Sequence, residues 1–123
     1  MEYANVFIVD SKDTFSNYLS KTIKQYYHLF KIENIYEKVP QSIDFKSKKA
    51  HNIVFVDFEI TNECINLLIF LQENNAITIL IVDNDIDALQ GFKYNVLYCI
   101  KKPLDEKNIA TTFNKIYSHI IIK

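Results

Sequence analysis

The chain has 123 residues, 49% of them hydrophobic, with 14 basic and 15 acidic side chains and a formal charge of −1. That length suits one domain with a real core, and the balanced charge excludes a general attraction to nucleic acid or to an anionic membrane. A single glycine, Gly91, excludes the glycine-rich loops that bring backbone against phosphate in P-loop and dinucleotide-binding proteins.

The apolar runs are far shorter than the ~20 residues of a membrane span. The N-terminal run MEYANVFIVD has no basic region before it, so no signal peptide is expected and the reading is a cytoplasmic protein. Cys64 and Cys99 show no CxxC spacing and read as small buried hydrophobes, without a disulfide. His28, His51 and His119 are scattered and form no zinc-type pair.

Asn5–Val9 reads as a first strand ending at Asp10, followed by Ser11 and Asp13 as candidate caps. Phe15, Leu19, Ile23 and Tyr26 then mark a helical face. Phe30–Val39 is a second strand with imperfect alternation. Pro40 suits the first turn of a short, exposed helix over Gln41–Lys49. NIVFVDFE, residues 52–59, holds a continuous apolar strand ending at Asp57, the pattern of a strand buried on both faces. Thr61 or Asn62 caps the next helix, with Ile65, Leu68, Ile69 and Gln72 on one face and Asn74-Asn75 at its end.

Ala76–Val82 is a fourth strand stopping at Asp83, and a thin helical pattern covers Asp85–Phe92. Val96–Ile100 is a fifth strand running into Lys101-Lys102-Pro103, a bond open to the cis form. The last helix, Leu104–Ile120, carries Ile109, Thr112, Phe113, Ile116 and Ile120 along one stripe. Five strand–helix units with right-handed crossovers predict one α/β domain over residues 1–123. Its parallel sheet takes the flavodoxin-like order 2-1-3-4-5, with helices on both faces.

In that topology Asp10, Asp57, Asp83 and Lys102 share the carboxyl edge of the sheet, where such folds hold ligands. Two carboxylates on adjacent strands suit a hard divalent ion such as magnesium. A carboxylate is also a competent nucleophile toward phosphorus, and a fixed lysine beside it neutralises phosphoryl oxygens. Each aspartate taken alone reads equally well as a helix cap.

FIVD at Asp10, VFVD at Asp57 and KP at Lys102-Pro103 together resemble the receiver domains of two-component response regulators, over essentially the whole chain. The resemblance implies that Asp57 is the phosphoacceptor and Lys102 the lysine that contacts the phosphoryl group. It implies magnesium on Asp10, Asp57 and the backbone carbonyl of Glu59. It also implies a histidine kinase or phosphotransfer protein as donor, and a downstream protein on the face of the fourth helix, fifth strand and fifth helix. Homodimerisation is compatible with it; direct contact with nucleic acid or membrane is not implied. No catalysis is expected beyond the domain's own magnesium-dependent phosphorylation and dephosphorylation.

The chain departs from that family at informative places. Ser11 stands where a second acidic residue is usual, which leaves a weaker metal site. Asp83 occupies the usual threonine or serine position and cannot donate a hydrogen bond when ionised. Its charge would repel a phosphoryl group about 5 Å away by roughly 3 kcal/mol at an effective dielectric near 20. Cys99 holds the switch position of an aromatic residue, and Tyr98 beside it points to the other face. Thr61 replaces a proline. A crowd of carboxylates would raise the pKa of Asp57.

Two functions follow from this atypical receiver pattern. One is a phosphoacceptor domain in a phosphorelay; the other is a pseudo-receiver that binds partners without phosphorylation. Residues 57–61 (DFEIT) also resemble the DxDxT loop of haloacid-dehalogenase-type phosphatases. In that family the loop follows the first strand, whereas two strand–helix units precede it here. A flavin-binding flavodoxin lacks support, since no Ser/Thr/Gly-rich loop follows strand one.

Overall fold

A computed structural model describes residues 4–46 and 51–122. Its strands are β1 (Ala4–Val9), β2 (Phe30–Tyr36), β3 (His51–Asp57), β4 (Ile77–Val82) and β5 (Tyr98–Lys101). All neighbours pair in parallel, in the order β2-β1-β3-β4-β5. The helices are α1 (Ser16–Tyr26), α2 (Asn62–Glu73), α3 (Asp85–Gly91) and α4 (Glu106–Ile122), with a 3₁₀ turn at Phe92–Tyr94. The expected flavodoxin-like order is the one observed. Among the described residues no helix is long and apolar enough to cross a membrane.

Strand side chains alternate between the two faces, and each face has its own core. Val6, Ile8, Ile53, Phe55, Ile79, Ile81 and Ile100 pack against α1 and α4. Phe7, Val9, Val54, Val56, Leu80 and Val82 pack against α2 and α3. The stripe expected on the last helix is buried throughout: Ile109, Thr112, Phe113, Ile116 and Ile120. That helix starts two residues late because Asp105 and Asn108 cap each other reciprocally, at 2.7 and 2.8 Å. Gly91 is there for space: a Cβ would collide with the Leu80 side chain beneath α3.

Several local expectations are corrected. Tyr26 is exposed, and Tyr27, just past the end of α1, instead stacks on Phe113 at 4.0 Å between ring centroids. The buried face of α2 is Cys64, Leu67, Leu68 and Leu71, while Ile69 is exposed. That helix is apolar nearly all round, so only the sheet beneath it selects the face. The uneven alternation in β2 comes from a register shift against β1: Val6 pairs with Ile32 but Phe7 with Asn34.

The largest correction concerns the helix expected over Gln41–Lys49. Residues 40–46 are not helical, and the rest of that stretch lies outside the described residues. Its two apolar anchors, Ile43 and Phe45, sit two residues apart, the repeat of extended chain rather than of a helix. Ile43 is buried, and Phe45 packs on Phe7 and Phe70 at 5.3 and 6.1 Å. An extended strap therefore covers part of the sheet where a helix was expected. Ile43→Ala should lower unfolding stability by about 2–5 kcal/mol, the usual size of such a core truncation. Ile86→Ala, at an exposed position, should change it by less than about 0.5 kcal/mol. Urea denaturation measures both.

Candidate functional site

The period of two that builds the cores also builds the site. Asp10, Asp57, Asp83 and Lys102 continue the alternation of Ile8, Phe55, Ile81 and Ile100, all of which face α1 and α4. The sheet bonds run on just far enough to hold them: Asp10 N–H donates to Tyr36 O at 3.0 Å, Phe58 N–H to Ile81 O at 2.9 Å and Lys102 N–H to Val82 O at 2.9 Å. The Lys102–Pro103 peptide bond is cis. All four side chains converge at one edge of one face.

Asp57 lies at the bottom, its side chain fully buried. Lys102 Nζ stands 3.0 Å from Asp57 Oδ1 and 3.4 Å from Asp83 Oδ1. Among the described residues no group meets either Asp57 oxygen or Lys102 Nζ in hydrogen-bond geometry, so the contact is an ion pair without a directed bond. Burial pushes the Asp57 carboxyl above the usual carboxylate range, and the pull of Lys102 and Lys12 only partly offsets it. Repulsion from Asp10 is a lesser contribution. The expected rise is therefore present, but desolvation causes it more than carboxylate crowding does.

Asp10 plays the cap that the sequence assigned to Ser11 or Asp13. Its Oδ2 accepts from the amides of Phe15 at 2.9 Å and Ser16 at 2.8 Å, and its Oδ1 from the amide of Thr14 at 3.1 Å. Burial alone would raise its pKa, but those three amides outweigh it and hold the carboxyl below its ordinary value. Asp13 instead takes a left-handed backbone, at φ 54°, and Ser11 is exposed in the same loop. Asp83 does not cap α3; Asn84 does, accepting from Asp87 N–H at 2.9 Å. Thr61 caps α2 as expected.

Sequence reasoning missed Lys12. Its ammonium donates to Asp83 Oδ2 at 2.8 Å and pairs with the Glu59 carboxylate. Lys12 is raised above its ordinary value, first by Asp83 and then by Glu59, and Asp83 is lowered, first by Lys12. The charge of Asp83, expected to stand bare over the site, is thus countered from two sides. An acidic residue substituted at a strand end calls for a nearby cation, and that was the available signal. The loop path that brings Lys12 back over the site was not readable.

Cys99, expected from the sequence at the switch position, is a half-buried thiol. Its side chain packs against the core of the α2–α3 face, as those of Ala88 and Val96 do. Burial, with a smaller contribution from Asp87, pushes its thiol up to about 11. Tyr98 lies on the opposite face, under the Lys115 ammonium at 5.2 Å from the ring centre.

The donors are all oxygens, the chemistry a hard divalent cation takes, yet apart from the Asp57 carboxylate they are already engaged. Asp10 Oδ2 has both lone pairs filled by amides, the Glu59 carbonyl accepts from Thr61 N–H at 2.8 Å, and the Glu59 and Asp83 carboxylates are tied to Lys12. Among the described residues no three His, Cys, Asp or Glu side chains are grouped to hold a metal ion. Arranged this way, the edge offers a magnesium ion one open carboxylate, Asp57, and a second could be had only by displacing Lys12 or the α1 amides.

A carboxyl whose pKa is raised in the folded state costs stability as pH climbs from its unfolded value, near 3.8, through the folded one. Asp57→Asn removes that cost, and Lys102 keeps Asp83 as a partner. The variant should have a higher urea midpoint than the parent at pH 7, with the difference shrinking as pH falls toward 4. A lower midpoint at pH 7 would mean that the Lys102 pair outweighs desolvation.

No family model matches the chain, and no curated protein matches it in sequence. Solved structures do match in shape. The beryllofluoride-activated DrrB receiver domain aligns over 95% of this chain and 99% of its own, with TM-score 0.69 and 17% identity. The non-phosphorylated HemR receiver domain of Leptospira biflexa covers 92% and 93%, at TM-score 0.66 and 13% identity. The complex of the CheA3 P1 domain with CheY6 from R. sphaeroides contains a chain covering 96% and 99%, at TM-score 0.66 and 14% identity. With five parallel strands in the order 2-1-3-4-5 and its acidic edge in place, the chain has the fold of the response regulator receiver domains.

Proposed function

We propose that this chain is a receiver-type signalling domain whose Asp57 accepts a phosphoryl group from a phosphohistidine on a histidine kinase or phosphotransfer protein. The observation that carries this reading is the buried Asp57 carboxylate, with no directed hydrogen bond on either oxygen and Lys102 Nζ 3.0 Å away. Carboxylates are seldom buried so incompletely satisfied without a reason. In the transfer, an Asp57 oxygen forms the new bond to phosphorus as the phosphorus–nitrogen bond breaks, and the electron pair leaves on the imidazole. Lys102 meets the negative charge on the transferred group. The nucleophile must be ionised, so its raised pKa makes Lys102 a positioning cation as well as a neutralising one.

The neighbouring complex of the CheA3 P1 domain with CheY6 supports a kinase-class donor. On the far side of the site, α3 and its 3₁₀ turn expose Ile86 at 67%, Leu89 at 70% and Phe92 at 51%. These apolar side chains favour a downstream protein on the face of α3, β5 and α4, the counterpart of the face assigned from sequence. A second copy of the chain would use the same face.

One observation favours the pseudo-receiver reading. The Asp83–Lys12–Glu59 bridge engages two of the site's carboxylates, and neither Asp83 nor Cys99 supplies the hydroxyl or aromatic ring of a phosphorylation relay. Beryllofluoride, with and without magnesium, tests the choice by amide NMR. Shifts centred on residues 10–12, 57–59, 83–84 and 102, abolished by Asp57→Asn, are expected; no localised change in either condition would exclude phosphoacceptance. Asp83→Thr should raise the rate of acyl-phosphate formation from acetyl phosphate about tenfold or more, and an unchanged rate would clear Asp83 as an obstacle.

A further inference from the structure

The cluster holds four carboxylates, Asp10, Asp57, Glu59 and Asp83, against the ammonium groups of Lys12 and Lys102. The two lysines divide the work. Lys102 is the buried one and reaches Asp57. Lys12 comes from the β1–α1 loop and bridges Glu59, beyond β3, to Asp83, beyond β4. It touches neither Asp10 nor Asp57, yet its field helps hold Asp57 ionised. Bridging carboxylates from adjacent strands across the mouth of an acidic edge is work a divalent ion can do, because it needs only positive charge and oxygen donors.

We propose that the Lys12 ammonium is the resident cation of this site, holding Glu59 and Asp83 so that a divalent ion enters only by displacing it. Three observations converge on it. Lys12 occupies both carboxylates at the mouth, those of Glu59 and Asp83. The amides of α1 take up Asp10, leaving no second free carboxylate beside Asp57. The buried Asp57 oxygens, aimed into the cluster without directed partners, show that the electrostatic demand at the bottom of the site persists while Lys12 meets it at the top. Lysine suits the role because its ammonium has three donors on a flexible stem and can bridge two carboxylates without a fixed geometry.

The inference goes beyond phosphoacceptance and does not depend on it, since it concerns which cation balances the cluster. Its test needs no phosphodonor. Magnesium chloride is titrated into the parent chain, Lys12→Met and Lys12→Arg, with amide shifts followed by NMR and thermal midpoints measured in EDTA and in 10 mM magnesium. Methionine keeps the apolar stem at a partly exposed position, so folding is expected to survive, and the EDTA melts verify it. Lys12→Met should bind magnesium at least tenfold more tightly than the parent, a change of about 1.4 kcal/mol. Its midpoint should fall in EDTA and recover in magnesium, whereas the parent's midpoint barely responds. Lys12→Arg should behave as the parent does. Equal or weaker magnesium binding by Lys12→Met, or a midpoint no more sensitive to magnesium than the parent's, would overturn the proposal. A beryllofluoride response with this result negative would leave Asp57 as acceptor and remove Lys12 alone.

Discussion

A carboxylate sealed inside protein must be paid for in charge, and the Asp57–Lys102 pair is the term on which the rest of this site depends. Burial strips Asp57 of water and raises its pKa; Lys102, itself mostly buried, is the nearest compensation. Neither residue can move far, because Asp57 ends the central strand β3 and Lys102 directly follows β5, which is paired along its length with β4. The fold thus holds together two groups that would each be costly to bury alone.

Around that pair the chain has shifted its charges. An aspartate at the end of β4 would make the mouth repulsive if it stood alone, but Lys12 reaches across from another loop and ties it to Glu59. Loop and strand-end residues of this kind are interdependent: Asp83 without Lys12 repels, and Lys12 without Asp83 loses a partner. The result is an edge whose acidic groups are largely spoken for before any ligand arrives. Asp10 illustrates the same economy of use, since one carboxylate at the site also starts α1 by accepting from three successive amides.

The two faces of the sheet were legible to different degrees. The face under α1 and α4 came through because its residues recur at clean spacings, and Phe15, Leu19, Ile23, Ile109, Phe113, Ile116 and Ile120 are all buried there. The other face was harder. It is covered by an extended strap through Ile43 and Phe45, where Pro40 and a lysine-rich stretch suggested a helix, and by α2, whose ring of apolar residues offers more than one way to dock. Where apolar residues encircle a helix, or where only two anchors occur, periodicity alone does not choose the geometry; the shape of the sheet does.

The sequence by itself determined the strand order, because five apolar runs separated by crossover lengths admit few right-handed arrangements. It also determined that Asp10, Asp57, Asp83 and Lys102 share one edge, because each follows a strand at the same step of a period of two. Only the tertiary structure decided how their charges are satisfied. Which amides fill Asp10, how deeply Asp57 is buried, and that Lys12 reaches Asp83 all depend on loops folding back over the strand ends. Loop paths are set by contacts between residues far apart in the chain, 71 positions in the case of Lys12 and Asp83, and no local pattern records them.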